Sequence, residues 1–334
     1  MSDLNPQTRH IADQLESPLK LAVFSWPSLL LIVSIALFIL NTFMSPYFLS
    51  AWSLSDATFN FTEKAIIAFA MALLIISGEI DLSVAAIIAL SSTIMGLCLQ
   101  LGFGTSELVL VGLFVGVLCG AFNGTLVVGL GLPSIVVTIG TMSFFRGISF
   151  IILGDKAFNG YPAEFAFFGQ GYVWWVISFE FVLFLVVALA YFVLLHKTNF
   201  GRQIFVIGNN ATAAQFSGVR VKRIKFILFC LVGLMSGVAA VLLTSRLGST
   251  RPSIAQGWEL EVITMVVLGG ISILGGSGTI QGVFIAAFIM GLISFGLGLL
   301  NIPGIVMSIF IGALLIFVIA LPIIAGKLKS RLKA

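Results

Sequence analysis

The chain is poor in charge. Its 334 residues include 17 lysines and arginines, 13 aspartates and glutamates and two histidines, so that only 9% of them are charged. A soluble domain usually carries about a quarter charged residues. Too few polar side chains remain to cover a globular body in water, and 59% of the residues are hydrophobic. This composition excludes soluble enzymes, disordered proteins and disulfide scaffolds, and it predicts that most of the chain lies in lipid.

The sequence also lacks the motifs of enzymes and ATP-binding proteins. It contains no G-x-x-x-x-G-K-[ST] phosphate loop and no H-E-x-x-H metal motif. The three cysteines, Cys98, Cys119 and Cys230, lie in apolar runs at spacings that match no metal or redox motif. We therefore predict that the chain is not an enzyme and that it holds no cofactor or metal of its own.

What the sequence does contain is long uncharged runs. A helix needs about 20 mostly apolar residues to cross a hydrocarbon layer of about 30 Å. On this basis the sequence predicts an all-α membrane protein, a polytopic bundle of about ten transmembrane helices. The predicted spans lie in the runs 21–44, 65–78, 82–106, 108–145 with a break at 129–133, 172–195, 226–245 and 262–326.

Lysine and arginine are concentrated in two segments, which indicates the orientation of the chain because cytoplasmic loops retain these residues. Residues 197–225 carry six of the 17 basic residues and no acidic one, and residues 327–334 carry four more. We predict a cytoplasmic tail at 1–20, a transmembrane domain at 21–326 that contains a cytoplasmic loop at 197–225, and a basic cytoplasmic tail at 327–334. The net charge of +4 then indicates contact with membrane lipid and not with nucleic acid.

Two predicted spans are too short to cross the layer unaided. Residues 65–78 would form a helix of about 21 Å, and residues 262–274 end at a glycine cluster. Paired short or glycine-interrupted segments are typical of discontinuous helices beside a substrate path. The candidate pathway and helix-break residues are Glu79, Asp81, Ser83, Arg146, Gly275, Gly276 and Gly278.

Several of these polar residues have more than one interpretation. Asp81 or Ser83 could cap the helix that follows them, and the role of Glu79 stays open. Arg146 could reach the lipid headgroups, pair with a buried carboxylate or touch substrate. Glu63 and Lys64 are predicted to lie at the membrane interface.

Glycines recur at every fourth position in one predicted span. One face of this helix carries no side chains, because it is formed by Gly112, Gly116, Gly120 and Gly124. The same spacing occurs once more, at Gly233 and Gly237. Such a face lets another helix approach closely. The pattern predicts tight helix packing and carries no information about substrate.

Four ordered motifs carry a resemblance to a known family. They are the 197–225 loop, Gly78-Glu-Ile-Asp-Leu-Ser83, the stretch Pro133-Ser-Ile-Val-Val-Thr-Ile-Gly-Thr-Met142 with Arg146-Gly147, and Gly269-Gly-Ile-Ser-Ile-Leu-Gly-Gly-Ser-Gly-Thr-Ile-Gln-Gly282. Over residues 21–326 the chain resembles the transmembrane permeases of bacterial ABC importers of the ribose type. It departs from that family's pattern at Glu79, where a glycine is usual, and at Ala85-Ala86 in place of Gly-Ser.

The resemblance implies a function, a location and a set of partners. The chain would be a permease of the bacterial plasma (inner) membrane, pairing with a second permease chain, identical or paralogous, to form the pathway for a monosaccharide, with a deoxyhexose such as rhamnose as one candidate. Two ATP-binding subunits would bind ATP and magnesium, and a periplasmic or lipid-anchored binding protein would deliver the sugar. The loop would be the coupling element on the ATP-binding subunit, through Gly201, Gly208, Asn209, Asn210, Ala213, Ala214, Ser217 and Gly218.

A second functional class stays open at this point. A proton-coupled secondary transporter of a small polar solute would use Glu79 and Asp81 to carry protons across the membrane. The two classes differ in whether the chain needs partner proteins to move its solute.

Overall fold

The computed structural model describes residues 26–154, 156–304, 306–310, 312–314, 316 and 320. The predicted tails at 1–20 and 327–334 lie outside these residues. The helices are α1 (Trp26–Met44), α2 (Ala51–Phe59), α3 (Thr62–Ile76), α4 (Val84–Gln100), α5 (Thr105–Gly124), α6 (Ser134–Leu153), α7 (Phe167–Gln170), α8 (Phe179–Lys197), α9 (Asn199–Asn209), α10 (Ala211–Phe216), α11 (Val221–Leu247), α12 (Trp258–Leu268) and α13 (Ile280–Leu299). Further helical residues follow between 304 and 320.

Four short strands complete the described part of the fold. They are β1 (Phe158–Asn159), β2 (Tyr172–Trp174), β3 (Ile177–Ser178) and β4 (Ser249–Thr250). β1 pairs antiparallel with β4, and β2 pairs antiparallel with β3. Each strand has only two or three residues and lies in a connection between helices. The fold is therefore predominantly helical, which confirms the helical architecture that the sequence predicts.

Six helices in the described residues are long and apolar enough to cross a membrane, and a bent pair of helices raises the number to seven. The six are α1, α5 with the π-helical turn Thr125–Gly129 that follows it, α6, α8, α11 and α13. The bent pair is α2 and α3, with a bend of 46° at the break between them. The expected total of about ten crossings stays a prediction.

Two predicted span boundaries are wrong. The short stretch at 65–78 is not isolated, because α3 begins at Thr62 and α2 precedes it across a bend. The span predicted at 172–195 begins only at Phe179, since the residues before it form the β2–β3 hairpin. Glu180 therefore lies in the first turn of α8 and does not interrupt a helix, and Ser178 caps that turn by accepting the N–H of Phe181 at 3.2 Å.

The break predicted at 129–133 is present between α5 and α6. Gly131 has φ +72, and Pro133 precedes the first residue of α6. Proline has no backbone N–H and disfavours helical backbone at the residue before it, so it separates two helices within one uncharged run.

The core of the bundle is formed by α3. Its residues from Ala65 to Ile76 are buried, and it packs against α8, α11, α12 and α13. By contrast, most of α1 is exposed although it is apolar. A buried central helix inside a ring of helices with exposed apolar faces is the arrangement expected of a chain whose solvent is lipid.

The two short helices α3 and α12 run in the same direction. Near their starts, Lys64 and Glu261 form an ion pair of 2.5 Å, and the Lys64 ammonium lies 4.9 Å from the centre of the Trp258 ring. Near their ends, the N–H of Gly276 donates to the carbonyl oxygen of Ile76 at 2.9 Å. The breaks after both helices therefore lie at one end of the bundle. This end, where α9 lies, is called the loop end below, and the other is called the opposite end.

The periodic glycines of α5 lie where this helix meets α4 and α11. A Cβ at Gly116 would overlap the carbonyl oxygen of Gly233, and one at Gly120 would overlap that of Phe229. One at Gly112 would lie 2.7 Å from the Met95 sulfur, and one at Gly124 would lie 3.1 Å from the Phe226 ring. Backbone meets backbone at the centre of the α5–α11 contact because neither helix carries a side chain there.

Candidate functional site: the junction at the loop end

The 197–225 segment forms two helices, whose starts are set by polar caps. Thr198 begins α9 by accepting the N–H of Gly201 at 3.2 Å, and Asn210 begins α10 by accepting the N–H of Ala213 at 2.9 Å. Gly218, with φ +83, follows the end of α10. Asn210 is thus both a residue proposed for coupling and the cap of α10.

Sequence reasoning missed α9. Two signals were available: a threonine cap at Thr198, and buried apolar residues three positions apart at Ile204 and Ile207. Gly201 makes the reversal from α8 into α9 possible, because a Cβ there would overlap the carbonyl oxygen of Leu195.

Three segments distant in sequence meet at the end of α9. A Cβ on Gly208 would overlap the carbonyl oxygen of Ile76 and lie 2.5 Å from the backbone nitrogen of Gly276. The same Ile76 oxygen accepts the N–H of Gly276. We call this contact of Ile76, Gly208 and Gly276 the three-way junction; it joins the end of α3, the end of α9 and the loop after α12.

The glycine loop after α12 has a backbone that other residues rarely adopt. Gly275, Gly276 and Gly278 have φ values of +85, +76 and +141. A Cβ on Gly275 would lie 3.1 Å from the Ile76 oxygen, and the side-chain nitrogen of Asn209 lies 3.4 Å from the Gly276 oxygen. The structure therefore brings Gly208, Asn209, Gly275 and Gly276 together, although the sequence assigned them to two different candidate sites.

Glu79 follows the end of α3, and the structure assigns its carboxylate a partner. Its Oε1 forms an ion pair with the Nζ of Lys225, the fifth residue of α11 and the last of the 197–225 segment. Both side chains are mostly buried. A carboxylate in apolar surroundings is stabilised by an opposite charge in contact with it.

Asp81 is fully buried and binds the start of α4. Its Oδ1 accepts the N–H of Ser83 at 2.8 Å and the Ser83 hydroxyl at 2.6 Å, and its Oδ2 accepts the side-chain amide of Asn123 at 3.2 Å. The Asn123 amide nitrogen also lies 2.8 Å from the Ser83 oxygen. Neither of the two residues proposed to cap α4 accepts an N–H of the helix with its side chain: Asp81 accepts the N–H of Ser83, which precedes the first residue of α4, and it ties this start to Asn123 of α5.

Arg146 lies away from the other candidate pathway residues, at the opposite end. Its Nη1 donates to the carbonyl oxygens of Pro252 at 2.7 Å and Ile254 at 3.1 Å. It thus links α6 to the connection between β4 and α12. Of the three interpretations given to Arg146, none named these backbone carbonyls, which a sequence does not mark as acceptors.

Glu63, which the sequence predicts at the membrane interface, is buried and paired inside the bundle. Glu63 is 1% exposed and accepts two hydrogen bonds from Arg246 of α11, at 3.0 Å from Nε and 2.7 Å from Nη2. This bidentate pair compensates the carboxylate inside the bundle. Lys64 is likewise paired within the protein, with Glu261.

The residues proposed for coupling in and just after α10 differ in exposure. Ala213 and Ser217 are exposed, and the Ser217 hydroxyl donates to the Ala213 oxygen at 3.0 Å, whereas Ala214 is buried. Sequence reasoning missed Phe216, which is 90% exposed. A six-residue helix is not stable alone, and an exposed phenylalanine on it offers an apolar anchor to a partner.

The elements of this site interact by direct packing of backbone atoms. Within the described part of the chain, no group of three or more His, Cys, Asp or Glu side chains is placed to hold a metal ion. What the geometry provides is direct backbone contact between a helix outside the long spans and the ends of two short buried helices.

Comparison with known proteins agrees with the membrane architecture. Residues 53–319 match a family model described as the permease component of branched-chain amino acid transport systems. The chain is 35% identical to the ribose import permease protein RbsC of Bacillus subtilis (strain 168) over 266 residues, which cover 79% of this chain and 82% of that protein.

A second group of relatives is similar over the same region. The chain is 32% identical to the autoinducer 2 import system permease protein LsrD of Salmonella typhimurium (strain LT2) over 285 residues, 82% of this chain and 84% of the relative. It is 35% identical to the LsrD protein of Yersinia enterocolitica over 247 residues, 72% and 74% of the two chains. No solved structure matches the chain.

Proposed function

Because the chain belongs to the family of permease components described for branched-chain amino acid transport systems, we propose that it forms the translocation pathway of an ATP-driven importer for a monosaccharide. As a member of this family it is a non-catalytic permease that crosses the bacterial inner membrane several times. The proposal concerns what drives the chain and what it carries.

The three-way junction is the observation that supports ATP-driven coupling. Gly208 of α9 contacts both Ile76 and Gly276 through backbone atoms, so a displacement of α9 displaces the ends of α3 and α12 together. Packed interiors transmit such movements because they hold no free volume to absorb them. The sequence has no phosphate loop, so the displacement requires a partner that binds nucleotide.

The partners are part of the proposal, and the exposed face of α10 supports one of them. Two ATP-binding subunits, which hold ATP and magnesium, would dock on the exposed face of α10, with Phe216 as the apolar contact and Ala213 beside it. A second permease chain, identical or paralogous, completes the pathway. A periplasmic or lipid-anchored binding protein delivers the sugar.

The cargo is proposed from the relatives. The proteins named above import ribose and autoinducer 2, whereas the family description names branched-chain amino acids. We favour a monosaccharide because of the identity to those two kinds of importer, and a deoxyhexose such as rhamnose is the specific sugar we would test first.

Reconstitution tests the coupling. The chain is placed in proteoliposomes with or without its ATP-binding subunits and binding protein, and uptake of labelled solute is measured with internal or external ATP. We expect uptake only when ATP and the ATP-binding subunits are on the same side as the 197–225 segment and the binding protein is on the other side. Accumulation of solute by the chain alone under a pH gradient would overturn the proposal.

A ligand panel tests the cargo. The partner binding protein is screened by thermal shift against rhamnose, ribose, galactose, xylose, autoinducer 2, leucine, isoleucine and valine. We expect stabilisation by one monosaccharide. Stabilisation by a branched-chain amino acid and by none of the sugars would contradict the proposed cargo without affecting the proposed drive.

A further inference from the structure

Helix α11 carries a cation near each of its ends, and each cation binds a carboxylate near one end of α3. Arg246, the second-last residue of α11, pairs with Glu63 in the first turn of α3. Lys225, near the amino end of α11, pairs with Glu79, three residues past the end of α3. The two helices are therefore antiparallel, and an ion pair holds them together near each end. We call these two ion pairs the clamps. The helices also pack along each other between them.

The two clamps differ in strength. At the opposite end, Glu63 is 1% exposed and receives two parallel hydrogen bonds from the Arg246 guanidinium, which fixes distance and angle together. At the loop end, Lys225 approaches a single oxygen of Glu79 as a point charge, and the Glu79 side chain is 15% exposed. The two pairs are similarly exposed, since the Arg246 side chain is 29% and the Lys225 side chain 17% exposed. The first pair has two hydrogen bonds to break and the second has one contact, so the second pair opens at the lower cost.

The weaker clamp is also the one within the 197–225 segment. Lys225 is the last residue of the 197–225 segment, and Glu79 lies in the break between α3 and α4. Gly78, between Glu79 and the helix end, has φ +88, and the N–H of Glu79 donates to the Leu74 oxygen at 3.2 Å. This ion pair connects α11 directly to the break, in addition to the packing of α11 on α3 and α4.

We propose that Glu79 and Lys225 are positioning residues that form a latch between the 197–225 segment and the break after α3, and that the Glu63–Arg246 pair is the fixed pivot. This inference rests on the proposed function, in which partner subunits displace the segment. The pivot holds one end of α3 to α11, and the latch makes the other end follow the segment.

Charge exchange tests the latch in the complete transporter with its partner subunits. Glu79→Gln and Lys225→Met each remove the pair, and the double variant Glu79→Lys with Lys225→Glu restores it in reverse. Solute uptake, ATP hydrolysis and recovery of the assembled complex are measured for each. The readout is the number of solute molecules imported per ATP hydrolysed.

We expect each single variant to lower this ratio at least several-fold while assembly and hydrolysis are retained, and we expect the reversed pair to recover most of it. A ratio equal to that of the wild type in both single variants overturns the latch. If a single variant fails to assemble, the reversed pair decides: a recovered ratio supports the latch, and continued failure overturns it.

The outcome is distinguishable from failure of the proposed function. If the wild-type complex imports no solute on addition of ATP, the proposed function fails before any variant is compared. If the wild type imports solute and the variants match it, only the latch fails. Exposed Gln203 of α9, changed to alanine, serves as a control in the same segment and should keep the wild-type ratio.

Discussion

The N–H of Gly276 donates a 2.9 Å hydrogen bond to the carbonyl oxygen of Ile76, and this bond joins the breaks after the two short helices. Ile76 is the last residue of α3, whose final carbonyl groups have no partner within the helix. The glycine loop after α12 supplies one of the missing donors. Because Gly208 packs on the same two residues, any change at this point affects α3, α9 and the loop together.

A methyl group at Gly208 should therefore disrupt the junction. We expect Gly208→Ala to destabilise the protein by about 1–3 kcal/mol, because the added Cβ overlaps the Ile76 oxygen and has backbone on both sides. Unfolding in detergent and uptake in proteoliposomes check this. The matched control is Gln203→Ala in the same helix, at an exposed position, which should behave as the wild type. Equal stability of both variants would show that the junction accommodates the added methyl group, which would contradict the prediction.

The α5–α11 contact should be destabilised in the same way by an added side chain. Gly116→Ala places a methyl group against the Gly233 carbonyl, and we expect a loss of about 1–3 kcal/mol in unfolding free energy. Gly140→Ala in α6 is the control, since among the described residues no heavy atom lies within 4 Å of a Cβ built there. The prediction fails if the two alanine variants unfold at the same detergent concentration.

Docking on α10 should depend on Phe216 and not on overall stability. We expect Phe216→Glu to weaken association with the ATP-binding subunit at least tenfold in a pull-down, because a charge replaces an apolar anchor that is 90% exposed, while the unfolding temperature is unchanged. Ala214→Glu should instead destabilise the segment, because Ala214 is buried. Gln215→Glu, which adds the same charge at the neighbouring exposed position, is the control. Retained binding by Phe216→Glu would place the docking surface elsewhere.

Asp81 should act on stability and not on proton transfer. Asp81→Ala leaves the N–H and hydroxyl of Ser83 without their buried acceptor and removes one of the two acceptors of the Asn123 amide, and we expect a cost of about 1–3 kcal/mol. Asp81→Asn keeps an acceptor oxygen and should recover part of the stability. Uptake measured against pH distinguishes the roles. A variant of full stability that had lost uptake would assign Asp81 to transport.

Much of the architecture follows from the sequence because composition and periodicity are local properties. The uncharged runs locate α1, α5, α6, α11 and α13, and Pro133 with Gly131 locates a break between two of them. The segment at 172–178 shows the limit of this reasoning. Its residues are apolar enough for a span, yet they pair as a hairpin, and hydropathy does not distinguish the two.

The candidate site was predictable in its parts and not in its assembly. The glycines at 208, 275 and 276 were each identified, but their sequence positions do not reveal that they share the Ile76 carbonyl. Glu79 and Lys225 are 146 residues apart, so neither marks the other as its partner. The partner of Glu63 was missed for the same reason, because Arg246 lies 183 residues away.

The sequence by itself determined that the solvent of this chain is lipid, where most of its helices lie and where they break, since these depend on side-chain chemistry within short stretches. Only the tertiary structure decided which carboxylate pairs with which cation and which glycines touch. Those choices depend on which helices become neighbours. In a bundle where nearly every helix is apolar, neighbours are selected by close packing and by a few buried charges across the whole chain.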